Sequence, residues 1–240
     1  MANRAFSLIE LVISIVVIGI VSASFPLILS QTSNNVAFAM QQEAILATKT
    51  YMGTILSYPW DENSIFNDGS GDEGIILNVD TGDTNLKGAM VSLLDNATAL
   101  RAGHILGDKR RKMKLDGGAF IKPCFGNANC SSVSGFSMEA FNGKAQNLSV
   151  VDGTKNIDST LRFILMPTVS YIDDDLDSGD YSNTENITFK FNRSATGITN
   201  IKRVVITASS TNPGDPEVNM TFRAYSSNIG EFQLLSKAYL

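Results

Sequence analysis

Residues 8–29 form an apolar run in which Glu10 is the only ionisable side chain. At a helical rise of about 1.5 Å per residue, such a run is long enough to cross a hydrocarbon core of about 30 Å. A carboxylate left unpaired at that depth costs on the order of 3 kcal/mol, so Glu10 reads as a functional group that needs a cationic partner. The bland alternative is a glutamate snorkelling at a membrane edge. Arg4 precedes the run and no basic residue follows until Lys49, which predicts the N-terminus on the cytoplasmic side and the rest of the chain outside.

Three readings compete for this stretch. A secretory signal would have a longer basic start and a shorter apolar stretch, although Ser22-Ala23-Ser24 imitates a cleavage site. A plain anchor explains the length but not the glutamate. The third reading rests on residues 5–12, Ala-Phe-Ser-Leu-Ile-Glu-Leu-Val, which resemble the cleavage and methylation motif of type IV prepilins and type II secretion pseudopilins. The resemblance implies a cut between Ala5 and Phe6 by prepilin peptidase, N-methylation of Phe6, and Glu10 as the fifth residue of the mature chain. Gly19 matches a common helix glycine of the family. Two departures stand out: Ala5 replaces the usual glycine before the cut, and Pro26 falls one place earlier than the family's helix proline.

Physical chemistry supports the same reading. Cleavage would create an α-amino cation on Phe6, able to neutralise Glu10 of its own or a neighbouring chain where the dielectric is low. Such a pair would set the axial register of packed helices, as buried polar groups do in coiled coils.

Beyond residue 30 the continuous hydrophobicity ends but a helical period persists. Ala37, Met40, Ala44, Ala47, Tyr51 and Ile55 recur at three- and four-residue steps. One helix is therefore expected from about residue 6 to 57, with Tyr58-Pro59-Trp60 ending it and Trp60 pinning the corner. A strand is expected at 74–79, a short helix at 90–100 and a strand at 115–122. Strands are also expected at 161–169, 187–191, 202–208, 218–225 and 231–240, with Asp, Asn, Gly and Pro turns between them. The fold class is α+β and pilin-like, with one long N-terminal helix, its first half transmembrane, packed on a C-terminal antiparallel sheet. The divisions are a leader at 1–5, a membrane or filament-core half-helix at 6–29, an amphipathic half at 30–57 and a periplasmic head at 58–240.

The acidic segment 173–180 is a candidate calcium loop, with Asp173, Asp175, Asp177 and Asp180 as ligands. Its spacing departs from an EF-hand, and a solvated acidic turn is the alternative. Some pseudopilins carry acidic calcium loops in this part of the head, so calcium is the one cofactor that the resemblance implies. Cys124 and Cys130 lie close enough in sequence for a small disulfide loop outside the cytosol. His104 is the only histidine, and no hydrolase, phosphate-binding or dinucleotide motif occurs. Nothing in the sequence points to an enzyme. Residues 109–114 carry the densest basic cluster without interleaved aromatics, which favours a solvated loop over a nucleic-acid site, and the net charge of −5 agrees.

The expected function is a structural minor subunit, processed and assembled into a type II secretion pseudopilus. Its partners are prepilin peptidase, inner-membrane lipid and other pilin or pseudopilin subunits that meet its N-terminal helix. The mature length favours a minor subunit, and Glu10 argues against the tip type that lacks it. The acidic loop and the lack of a C-terminal disulfide loop favour secretion. The alternatives are a minor type IV pilus or DNA-uptake pilin, and a membrane-tethered periplasmic binding domain that does not assemble.

Overall fold

Between residues 7 and 58 nothing in the sequence stops a helix except Pro26, and one helix results. In the computed structural model α1 spans Leu8–Ser57, about 75 Å at the helical rise, with Pro26 inside it. The structure describes residues 7–67, 72–79, 81–83, 86, 89–90, 98–100, 113–116, 119–124, 137–149, 162–179, 186–210 and 217–230. Proline deletes one backbone donor, yet the helix continues past it. Hydroxyls within the apolar half bond to the helix's own carbonyls: Ser14 to Glu10 O at 2.7 Å and Ser24 to Ile20 O at 2.9 Å. That arrangement satisfies the hydroxyl protons of Ser14 and Ser24 in an apolar surrounding. The helix stops where Pro59 forces Tyr58 into extended backbone, ψ 153°.

Only the second half of α1 packs. Met40, Ala44, Thr48, Met52 and Ile55 are buried, one stripe at steps of three and four. Ala44, Met52 and Ile55 of this stripe share a core with an antiparallel sheet of order β10-β9-β8-β7, formed by Asn219–Ser227, Ile201–Ser210, Arg162–Ile172 and Gln146–Ser149. Alternation sends Phe163, Leu165 and Val169 of β8, with Val204, Ile206 and Ala208 of β9, into the same core. Pro167 is tolerated in β8 because its nitrogen faces away from β9, past the end of β7, on the side where its own carbonyl accepts from Gly143 N.

Two smaller sheets complete the described head. Ile65–Asn67 (β1) pairs with Asp72–Gly74 (β2), and Ala89–Met90 (β3), Thr98–Leu100 (β4), Met113–Asp116 (β5) and Ala119–Phe120 (β6) follow one another in a second sheet. The α+β architecture, a long apolar helix packed on an antiparallel sheet, is the one expected from the sequence.

Several local expectations are corrected. The helix expected at 90–100 is excluded because the two ends of that segment pair with each other, Ala89 opposite Leu100 and Met90 opposite Ala99. The strand expected at 115–122 is instead two short antiparallel strands, with Leu115 opposite Phe120 and Asp116 opposite Ala119. At 74–79 only Gly74 belongs to a strand. Ile76 makes one parallel bridge to Met113, and Leu77 spends both backbone groups on the Asn228 side chain. Residues 187–191 make one bridge, Thr188 to Ser178, because Phe189 and Phe191 pack on each other rather than into the core. Strand β7 was not expected, since its sequence offers only Leu148 as an apolar residue. The strand expected at 231–240 lies outside the described residues.

Candidate functional site

The first half of α1 is exposed throughout. Every residue from 7 to 36 is exposed, including Leu8, Ile9, Leu11, Val12, Ile13, Ile15, Val16, Val17, Ile18, Ile20, Val21, Phe25, Leu27, Ile28 and Leu29. A soluble protein does not present a helix that is apolar on all sides to water, so this surface belongs in lipid or against other helices. Glu10 lies in the first turn, where the helix dipole favours an anion. Between it and Glu43 the helix carries no charge. The sequence-based cleavage residues Ala5 and Phe6 lie outside the described residues.

Residues 1–25 match the family described as the prokaryotic N-terminal methylation motif. The chain carries the type IV prepilin and pseudopilin signature. No curated protein and no solved structure matches it. The prepilin motif implies processing by prepilin peptidase and assembly with other pilin subunits, and with the apolar helix it fits an inner-membrane-anchored pilin.

The head of this pilin-like chain contains three polar constellations. In the acidic segment, oxygens of Asp173, Asp174 and Asp175 lie within 4.8 Å of one another. Asp174 is buried and accepts from Asn200 N at 2.8 Å, Asn200 Nδ2 at 2.6 Å and Asp83 N at 2.9 Å. Arg193 pairs with Asp173 at 3.3 Å and with Asp177 at 3.5 Å, and Lys190 reaches Asp177 at 3.5 Å. Of the expected calcium ligands, the structure thus brings together Asp173 and Asp175, adds Asp174, and gives Asp177 two cationic side chains. Asp180 lies outside the described residues. Partial desolvation, then the charges of Asp173, Asp174 and Asp83, push the Asp175 carboxyl upward against the pull of Arg193.

The second constellation is an amide clamp. Asn228 donates to Leu77 O at 2.7 Å and to Asn200 Oδ1 at 3.1 Å, and accepts from Leu77 N at 3.0 Å. Asn200 passes the connection to Asp174, so one network ties the 77–83 segment to the ends of β8, β9 and β10. Gly82 lies against it, where a Cβ would come within 2.6 Å of Asn200 Nδ2.

The third lies behind the corner that ends α1. Lys202, on β9, is fully buried, and its Nζ contacts Glu139 Oε1 and donates to Trp60 O. Asp61 Oδ2 lies 3.9 Å from the same nitrogen, and the Trp60 ring centroid lies 3.6 Å away. Tyr171 donates its hydroxyl to Glu139 Oε1 at 3.3 Å. Burial pushes the Lys202 amine down to about 7 while Asp61 pulls it back up, and burial pushes the Tyr171 hydroxyl above its ordinary range. Trp60 thus pins the corner as expected, and also walls a charge cluster.

The sequence reading missed this cluster. Its available signal was parity: Lys202 shares the inward face of β9 with Val204, Ile206 and Ala208. Cys124 sits nearby, its backbone N donating to Asp61 Oδ1 at 2.9 Å, whereas Cys130 lies outside the described residues.

Proposed function

We propose that this chain is a minor pilin-like structural subunit of a type II secretion pseudopilus, cut between Ala5 and Phe6, methylated on Phe6 and assembled through residues 8–29. The observation that carries the reading is the exposed, all-round apolar half-helix bearing the prepilin motif and one carboxylate, Glu10. Before assembly, lipid covers that surface. In the filament the helices of neighbouring subunits cover it, and the Phe6 amine of one chain neutralises Glu10 of another or of its own. The head faces the periplasm, where oxidation would join Cys124 to Cys130. A minor type IV pilus or DNA-uptake subunit shares every feature of the helix; the mature length favours a minor subunit, and the acidic segment and the lack of a C-terminal disulfide loop favour the secretion assignment.

Glu10→Ala tests assembly. The variant is expected to insert in the membrane at normal levels and to disappear from sheared filaments or from cross-linked ladders of neighbouring subunits. Equal incorporation of wild type and variant would leave a membrane-tethered domain that does not assemble. Mass spectrometry of the mature chain is expected to find methylated Phe6 as the first residue.

A further inference from the structure

The Lys202 cluster is unusual for a buried ion pair. Glu139 Oε1 receives both Lys202 Nζ and the Tyr171 hydroxyl, while Glu139 Oε2 is buried without a hydrogen-bond partner among the described residues. A carboxylate retained only for pairing would satisfy both oxygens, because an unsatisfied buried acceptor is costly. A second buried carboxylate, Asp61, approaches the same amine, and Trp60 and Tyr171 enclose it with their rings at 3.6 and 5.2 Å. An amine, a carboxyl to attack, a second carboxyl to carry protons, and an aromatic enclosure that excludes water are the requirements for forming an amide.

We propose that Lys202 Nζ and Glu139 Cδ condense within the folded head into an intramolecular isopeptide bond. The nitrogen lone pair attacks Cδ of the protonated Glu139 carboxyl, and the developing negative charge on Oε1 accepts from the Tyr171 hydroxyl. One Nζ proton passes by way of Asp61 to the hydroxyl on Oε2. The Cδ–Oε2 bond then breaks and water leaves. One C–N bond forms, one C–O bond breaks, and nothing is oxidised or reduced. The remaining N–H keeps Trp60 O as its acceptor.

Folding supplies what this reaction lacks in open water. Holding the two groups in contact is equivalent to an effective concentration of about 10⁵–10⁸ M in well-oriented systems. Burial lowers the Lys202 amine to about 7, and a neutral amine beside a neutral acid avoids the cost of holding two charges out of water. The amide carries no charge, so the product escapes the desolvation penalty that burdens the ion pair. The bond would staple the 138–141 turn to β9 behind the corner at 60–61, where the helix joins the head.

The test is peptide mapping and intact mass of the full chain purified in detergent. The expected mass is one water below that of the processed sequence, with the loss localised by fragmentation to a branched peptide joining Lys202 to Glu139. Separate linear peptides containing Lys202 and Glu139, accounting for the whole of the folded wild-type protein, would overturn the proposal whatever the variants do. Lys202→Met and Glu139→Ala are each expected to restore the missing water. Asp61→Asn is expected to lower the linked fraction of freshly folded protein, and an unchanged fraction would remove Asp61 from the step.

Discussion

At Gly82 the absence of a side chain is a packing requirement. A Cβ there would lie 2.6 Å from Asn200 Nδ2 and 2.7 Å from Asp174 Oδ2, inside the clamp that joins three strand ends to the 77–83 segment. Neither atom can retreat without giving up a hydrogen bond in a buried network. Gly82→Ala is therefore expected to destabilise the head by about 1–3 kcal/mol, the usual cost of overpacking. Urea denaturation of wild type and variant measures it, and an unchanged midpoint would mean that the clamp yields freely. Asp175 presents the opposite sign. Its carboxyl is raised in the fold, so its ionised form is penalised there, and the penalty is present at neutral pH and relieved as pH falls through the folded value. Because the group is exposed, Asp175→Asn is expected to stabilise by no more than about 0.5 kcal/mol at pH 7. The gain should vanish in acid. A stability difference that grows below pH 4 would reverse the assignment.

Among the elements, legibility followed the source of each backbone hydrogen bond. The buried stripe of α1 was readable because Ala37, Met40, Ala44, Ala47, Tyr51 and Ile55 repeat with the helix, and each of them is buried or half-buried. Strands β8, β9 and β10 were readable for the matching reason, apolar alternation along a ladder with one face covered. The misread pieces are those whose pairing is settled by something no period records. Residues 75–79 look like a strand, yet the Asn228 side chain takes the place of a neighbouring strand at Leu77. Strand β7 has little alternation and exists because β8 offers a free edge to residues 146–149. The Lys202 cluster failed for another reason. A lysine on the buried face of a strand conflicts with local preference, and only tertiary contact with Glu139, Asp61 and Trp60 resolves the conflict. The prepilin segment needed no tertiary information, because its chemistry is contained in consecutive residues.

The whole chain divides by what covers its apolar surface. From Ala44 onward the helix shares a core with the sheet, whereas residues 7–36 are all exposed. The two halves of α1 thus answer to different environments: the first to lipid or neighbouring helices, the second to its own head. Such a division makes the stability of the head independent of the anchor. Among the described residues, a chain beginning at residue 31 loses only exposed ones, retains Met40, Ala44, Thr48, Met52 and Ile55, and keeps the corner at Trp60. It is expected to be soluble without detergent and to unfold in one cooperative step, with stability within about 0.5 kcal/mol of the head in the full chain. Circular dichroism melting of the two forms makes the comparison. The shortened helix frays at its new N-terminus but stays anchored where its stripe is buried. Loss of the cooperative transition on truncation would show that the first half of α1 supports the head. The separation of assembly helix from folded head would then fail.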